Sequence, residues 1–120
     1  MSEPSKSFSG EASSVRAARR FVVETLDDHD PRIVDSATLM VSELATNCVQ
    51  HAQAGFMLSI RSRPGPVRVE ISDSGEGQPI ERHPTSTEPT GRGLSIVDTL
   101  ASKWGVLHRN GRKTVWFEIS

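Results

Sequence analysis

The sequence predicts an α+β fold, a two-layer sandwich of three helices on a mostly antiparallel sheet. Two observations carry that expectation. The periodic segments run helix, helix, strand, strand, loop, helix, strand, strand, which groups like elements instead of alternating them as parallel βαβ units do. The strand segments alternate apolar and polar residues, as strands with one covered face do. With 120 residues the chain is long enough to bury a core without metal or disulfide staples, so one domain over 1–120 is expected.

The elements follow in order. After a polar start, Ser13 or Ser14 can cap a helix running to about Leu26, with Val15, Ala18, Phe21 or Val22, and Leu26 on one side and Arg16, Arg19 and Arg20 on the other. Asp27-Asp28-His29-Asp30-Pro31 breaks that pattern, and Asp30 before Pro31 signals a new start, because proline is tolerated in the first helical turn. The second helix is predicted to reach about Ala52, burying Ile33, Ala37, Val41, Leu44 and Cys48. Strands are predicted over 56–63 and 67–72, joined by the turn Arg63-Pro64-Gly65-Pro66. Residues 78–90 hold three prolines and one aliphatic side chain, Ile80, and read as a loop. A third helix is predicted from near Gly93 through Leu100, then strands over 104–108 and 114–119 flanking Asn110-Gly111, a pair that tolerates positive φ in tight hairpins.

Composition excludes several classes of partner. Lys plus Arg is 14 against 15 for Asp plus Glu, so no bulk positive charge points to nucleic acid or an anionic membrane. No apolar run approaches the roughly 18 residues of a membrane span, and MSEPSKSFSG lacks the apolar block of a secretory signal. The lone Cys48 has no internal disulfide partner and sits in an apolar helical stripe, which suits a structural thiol in a reducing cytosol. A cytoplasmic location is expected.

Three short constellations could carry chemistry. In SELATNCVQHA, Glu43 and Asn47 are four apart on the second helix, about 40° around its axis, at the edge of the apolar arc. A carboxylate can accept a proton or position water, and an amide oxygen is a ligand Mg2+ accepts beside phosphate oxygens. The same pair is equally an ordinary solvated helix edge, and His51, nearer the arc's centre, reads as a packed histidine. At the end of a strand, Asp73-Ser74-Gly75-Glu76-Gly77 puts an acid where it can accept from an exocyclic amine, with glycines that let a planar ligand approach the backbone; it also fits a plain Asp/Gly turn. Gly91-Arg92-Gly93-Leu94 sets glycines at a helix start, which could present free N–H groups to phosphate with Arg92 adding charge, or could simply begin the helix.

Their order is more informative than any one of them. E-x-x-x-N on a helix, D-x-G-x-G after a strand, a proline-rich loop, G-R-G-L at a helix start and Lys113-Thr114-Val115 in the last strand together resemble the GHKL, or Bergerat-fold, ATP-binding family. More narrowly, SELATN with His51-Ala52 behind it, and GRGLSIV followed by Trp104-Gly105-Val106, resemble the anti-sigma-factor serine/threonine kinases of bacterial partner-switching systems. The likeness runs from about Phe8 to Ile119.

That resemblance implies an ATP- and Mg2+-dependent protein serine kinase that regulates transcription by sequestering a sigma factor and phosphorylating a STAS-domain antagonist. The alternative it leaves is a nucleotide-binding regulator that sequesters a partner without phosphoryl transfer. By resemblance Glu43 is the general base, Asn47 the Mg2+ ligand, Asp73 the reader of the adenine amine, and Gly75 and Gly77 the glycines of the adenine slot. Gly91, Arg92, Gly93 and Leu94 form the phosphate side, Thr114 supports the adenine site, and 78–90 is the ATP lid. Ala18-Arg19 matches the pair through which relatives touch their partners, making Arg16, Arg19 and Arg20 the expected docking residues. Relatives commonly dimerise, so a homodimer is expected. Two departures stand out: Cys48 replaces the alanine common after the asparagine, and the lid lacks the glycine run of larger members.

Overall fold

A computed structural model describes residues 3–52, 55–62, 65–73, 88–109 and 111–120, with backbone alone at 51, 52, 88–93 and 109. The elements are β1 (Ser5–Phe8), α1 (Ser13–Thr25), α2 (Pro31–Asn47), a π-helical segment (Cys48–Ala52), β2 (Phe56–Arg61), β3 (Val67–Asp73), α3 (Glu88–Leu100), β4 (Lys103–Arg109) and β5 (Arg112–Ile119). The strands form one five-stranded sheet in the order β1-β2-β3-β5-β4, and every neighbouring pair is antiparallel. The α+β prediction holds.

Alternation along the strands assigns the two faces of the sheet. Phe56, Leu58 and Ile60 of β2, Val67, Val69 and Ile71 of β3, and Val115, Phe117 and Ile119 of β5 are all buried and join Ala18, Val22, Met40, Val41 and Leu44 of the helices in one core. Removing each of the larger side chains from water contributes about 1.5–3 kcal/mol. The opposite face carries no helix among the described residues and shows its own packing. There the Arg68 guanidinium lies 4.3 Å from the centroid of the Trp116 ring, while it pairs with Glu70 and Glu118, each at 3.1 Å. Gly105 sits under Trp116, where an added Cβ would fall 2.8 Å from Nε1.

The helix starts differ from their predicted chemistry in one case and match it in another. The Asp30 carboxylate accepts from the Arg32 N–H at 2.9 Å with Pro31 next in line, as predicted. Neither Ser13 nor Ser14 caps α1: Ala12 occupies the N-cap position in helical geometry, and the buried Ser14 instead shares a 3.0 Å hydrogen bond with Ser9. Backbone bonds from Ser14 to Glu11 and from Val15 to Ala12 tighten the first turn in place of a side chain.

Three boundaries correct the sequence reading. β1 was predicted as an irregular start; it is an edge strand, because Phe8 alone needs to face inward, stacking on Phe56 at 5.1 Å and meeting Phe21 edge-on at 6.3 Å. The second helix does not run uniformly to Ala52, since it leaves α geometry after Asn47 and winds as a π-helix. α3 begins at Glu88, ahead of the predicted start near Gly93, because an acid and a proline are both favoured in a first helical turn and Glu88-Pro89 supplies them. Gly111 adopts φ +78°, as the predicted β4–β5 hairpin requires. Among the described residues no helix is long and apolar enough to cross a membrane.

Candidate functional site

Glu43 and Asn47 stand on the last turns of α2, both partly buried, with Leu44 and Ala45 of the same turns in the core. The predicted edge position is therefore observed. Asn47 is the last α-helical residue before the π segment, and such departures from α winding recur at functional sites because they re-aim the side chains beside them. The Cys48 N–H reaches both the Ala45 and the Leu44 carbonyls at this junction.

Asp73 closes β3 on the helix-covered face. It continues the alternation of Val67, Val69 and Ile71 and pairs across with buried Phe56. Its Oδ1 accepts from the Lys113 N–H of β5 at 3.5 Å, which orients the carboxylate at the end of the sheet. The ends of α2 and β3 meet here: burial first, and then the charge of Asp73, push the Cys48 thiol up to about 12, while Lys113 acts in the opposite sense. That coupling sets Asp73 and Lys113 near the residue that follows Asn47, and a thiol so held protonated is structural, as predicted. Next to Asp73 a shallow cleft of about 180 Å3 is bordered by Phe56, Ser72 and Arg112.

Thr114 is placed elsewhere than the resemblance implied. It pairs with Ser72, and their hydroxyls share a 2.7 Å hydrogen bond on the face of the sheet away from the helices. Position 113, not 114, accompanies Asp73 on the covered face, because Lys113 falls in phase with buried Val115, Phe117 and Ile119. The alternation was present in the sequence and could have shown this.

The phosphate side also shifts. With α3 beginning at Glu88, Gly91 belongs to the first turn, where N–H groups are free, whereas Arg92, Gly93 and Leu94 lie further along the helix. The partly buried Leu94 side chain packs against the core. Residues 88–90 of the expected lid are helical, and Gly75, Gly77 and lid residues 78–87 lie outside the described residues, as do the side chains of His51 and of 91–93.

Of the three candidate docking arginines, Arg16 and Arg20 are exposed, while Arg19 is half-buried and donates to Ser42 Oγ at 3.3 Å, one residue before Glu43. Sequence reasoning missed this link between α1 and the acid. Exposed Val23 and Leu39 lie on the same two helices.

Among the described residues no group of three or more His, Cys, Asp and Glu is placed to hold a metal ion. A single amide at Asn47 fits Mg2+ only in the way that ion commonly binds, through one or two protein oxygens plus phosphates and water.

Comparison with known proteins follows the same lines. The profile of the family described as Histidine kinase-like ATPase domain matches residues 8–119. Among solved structures, one of the RsbU and RsbW domains of Rv1364c from Mycobacterium tuberculosis superposes with a TM-score of 0.76 at 20% identity, covering 99% of this chain and 32% of that one. The chain thus spans about a third of the length of that protein, and at such identity the likeness bears on the fold. No curated protein matches the chain.

Proposed function

The chain belongs to the histidine kinase-like ATPase domain family, and on that footing we propose that it is an ATP-dependent protein serine kinase acting as an anti-sigma factor. It phosphorylates a STAS-type antagonist and otherwise holds a sigma factor. The observation that carries this reading is the convergence of the α2 end, with Glu43 and Asn47, on the end of β3, with Asp73, in a chain whose motifs follow the family's order.

Each residue has a physical task. Asp73 accepts a hydrogen bond from the exocyclic amine of adenine, its carboxylate already oriented by the Lys113 N–H. Asn47 would hold Mg2+, which when bound neutralises charge on the phosphates during transfer. Gly91 offers its free N–H and the positive end of α3 to the same phosphates. Glu43 takes the proton of the attacking serine hydroxyl. Phosphoryl transfer requires positioning and charge compensation more than covalent chemistry, which is what a rigid helix end beside a sheet end supplies. Arg16 and Arg20 offer an exposed basic face on α1 to both partners, which then compete for it.

A second reading, a nucleotide-dependent sequestering module without transfer, is favoured by the start of α3 at Glu88, which shortens the segment free to close over a nucleotide. Glu43→Gln separates the two. With the full chain, a STAS partner and ATP, the variant is expected to keep its nucleotide affinity by calorimetry and to lose serine phosphorylation. Undiminished phosphorylation removes Glu43 from the base role; no phosphorylation by either form leaves the sequestering module.

A further inference from the structure

We propose that the base end of this site is read by a pair of opposite charges, Asp73 and Lys113, and therefore takes guanosine and inosine triphosphates as well as ATP. The inference rests on the reading of Asp73 as the base-recognising acid.

The pairing follows from the sheet. β3 and β5 are antiparallel with Ser72 opposite Thr114, so the next step along the ladder sets Asp73 opposite Lys113, and the Lys113 N–H donates to Asp73 Oδ1. Both residues are in phase with the buried positions of their strands. Directly opposed residues of antiparallel strands carry their Cβ atoms about 4.5–5.5 Å apart, close to the distance between neighbouring polar groups on the edge of a purine. Asp73 and Lys113 also act on one and the same thiol, Cys48, which ties both charges to the end of α2. Lys113 is exposed, so its four-carbon stem is free to follow a ligand edge.

The chemistry of that edge then decides selectivity. Adenine presents a donor, the N6 amine, beside an acceptor, N1. Guanine and hypoxanthine present an acceptor, O6, beside a donor, N1–H. A carboxylate accompanied by a hydroxyl or an apolar group takes the adenine amine and repels O6. An ammonium has three donors and no acceptor, so beside a carboxylate it satisfies either order: Lys113 to N1 with Asp73 on the N6 amine, or Lys113 to O6 with Asp73 on N1–H. Strong rejection of an analogue requires that binding leave a buried polar group unpaired, and here neither order does so.

The test is calorimetric binding of ATP, GTP and ITP to the full chain, wild type and variants, with a melting curve for each. Wild type is expected to bind GTP within about tenfold of ATP, and Lys113→Thr to weaken GTP and ITP by at least about tenfold while ATP changes less than about threefold. Lys113→Arg, which keeps donors and charge, is expected to restore most of the GTP affinity. GTP binding more than about a hundredfold weaker than ATP in wild type, or an unchanged ATP-to-GTP ratio in Lys113→Thr, overturns the pair. Asp73→Asn separates this from the reading beneath it. If that variant binds ATP as wild type does, Asp73 is not the base reader and both fail; if it weakens ATP while Lys113→Thr leaves the ratio unchanged, Asp73 stands and the pair alone fails.

Discussion

Ser72 Oγ and Thr114 Oγ1 share a 2.7 Å hydrogen bond on the uncovered face of the sheet, one residue away from Asp73 along β3 yet on its opposite side. Thr114 is thereby a cross-strand tie. Thr114→Val is expected to leave nucleotide affinity within about twofold of wild type and to destabilise the fold by about 1 kcal/mol, the usual net value of such a bond. Calorimetry and chemical denaturation measure the two effects separately. A large loss of affinity with unchanged stability would return Thr114 to the site.

Gly105 is the floor beneath Trp116. A methyl group there meets the indole at 2.8 Å from Nε1, so Gly105→Ala must move Trp116, the Arg68 guanidinium over it, or the β4 backbone. Overpacking of this kind costs about 1–3 kcal/mol. The expected readout is a lower melting temperature together with changed tryptophan fluorescence, while Gly→Ala at exposed Gly65 acts only through its φ of +89°.

Burial and Asp73 hold the Cys48 thiol near 12, above its ordinary value of 9.0. The sign follows directly: the native state keeps a proton that the unfolded chain releases, so this contribution to stability is whole below pH 9.0 and is lost as pH rises from there to about 12. Cys48→Ala should flatten that alkaline decline, which denaturation curves between these limits detect. Native alkylation of Cys48 at pH 8 should be slower than in the unfolded chain by about a thousandfold, since the thiolate is the reactive form.

Arg16 and Arg20 are exposed, whereas Arg19 is tied to Ser42. Replacing Arg16 and Arg20 together by alanine is expected to leave stability within about 0.5 kcal/mol, as exposed substitutions do. Partner affinity, measured by titration with a sigma factor or a STAS protein, should fall tenfold or more and fall further in low salt terms, its salt dependence shrinking. Unaltered affinity would place docking elsewhere than this face.

Much of the fold was legible because its signals are local. Asp30-Pro31 names its helix start by capping chemistry, and β2, β3 and β5 show one covered face through strict alternation. β1 was not legible, since an edge strand with a single inward residue, Phe8, makes too short a pattern to distinguish from a polar tail. The site was read correctly in its order of motifs and incorrectly in phase at Thr114, because strand periodicity is two and a shift of one residue changes the face. The start of α3 was misplaced for a related reason: glycines at 91 and 93 look like a boundary, but Glu88-Pro89 satisfies the helix start earlier. The π winding leaves no periodic trace in a stretch as short as Cys48–Ala52.

That winding has a consequence for how the helix could be altered. A π turn holds one residue more than the α turn it replaces, so Cys48–Ala52 is in effect an insertion accommodated without a loop. Deleting a single residue within it would let α geometry continue past Asn47 and rotate everything downstream by about 100°, while Glu43, Leu44 and Ala45 upstream kept their register. The helix is thus divided at Asn47 into a part fixed by the core and a part whose aim is set by residue count alone.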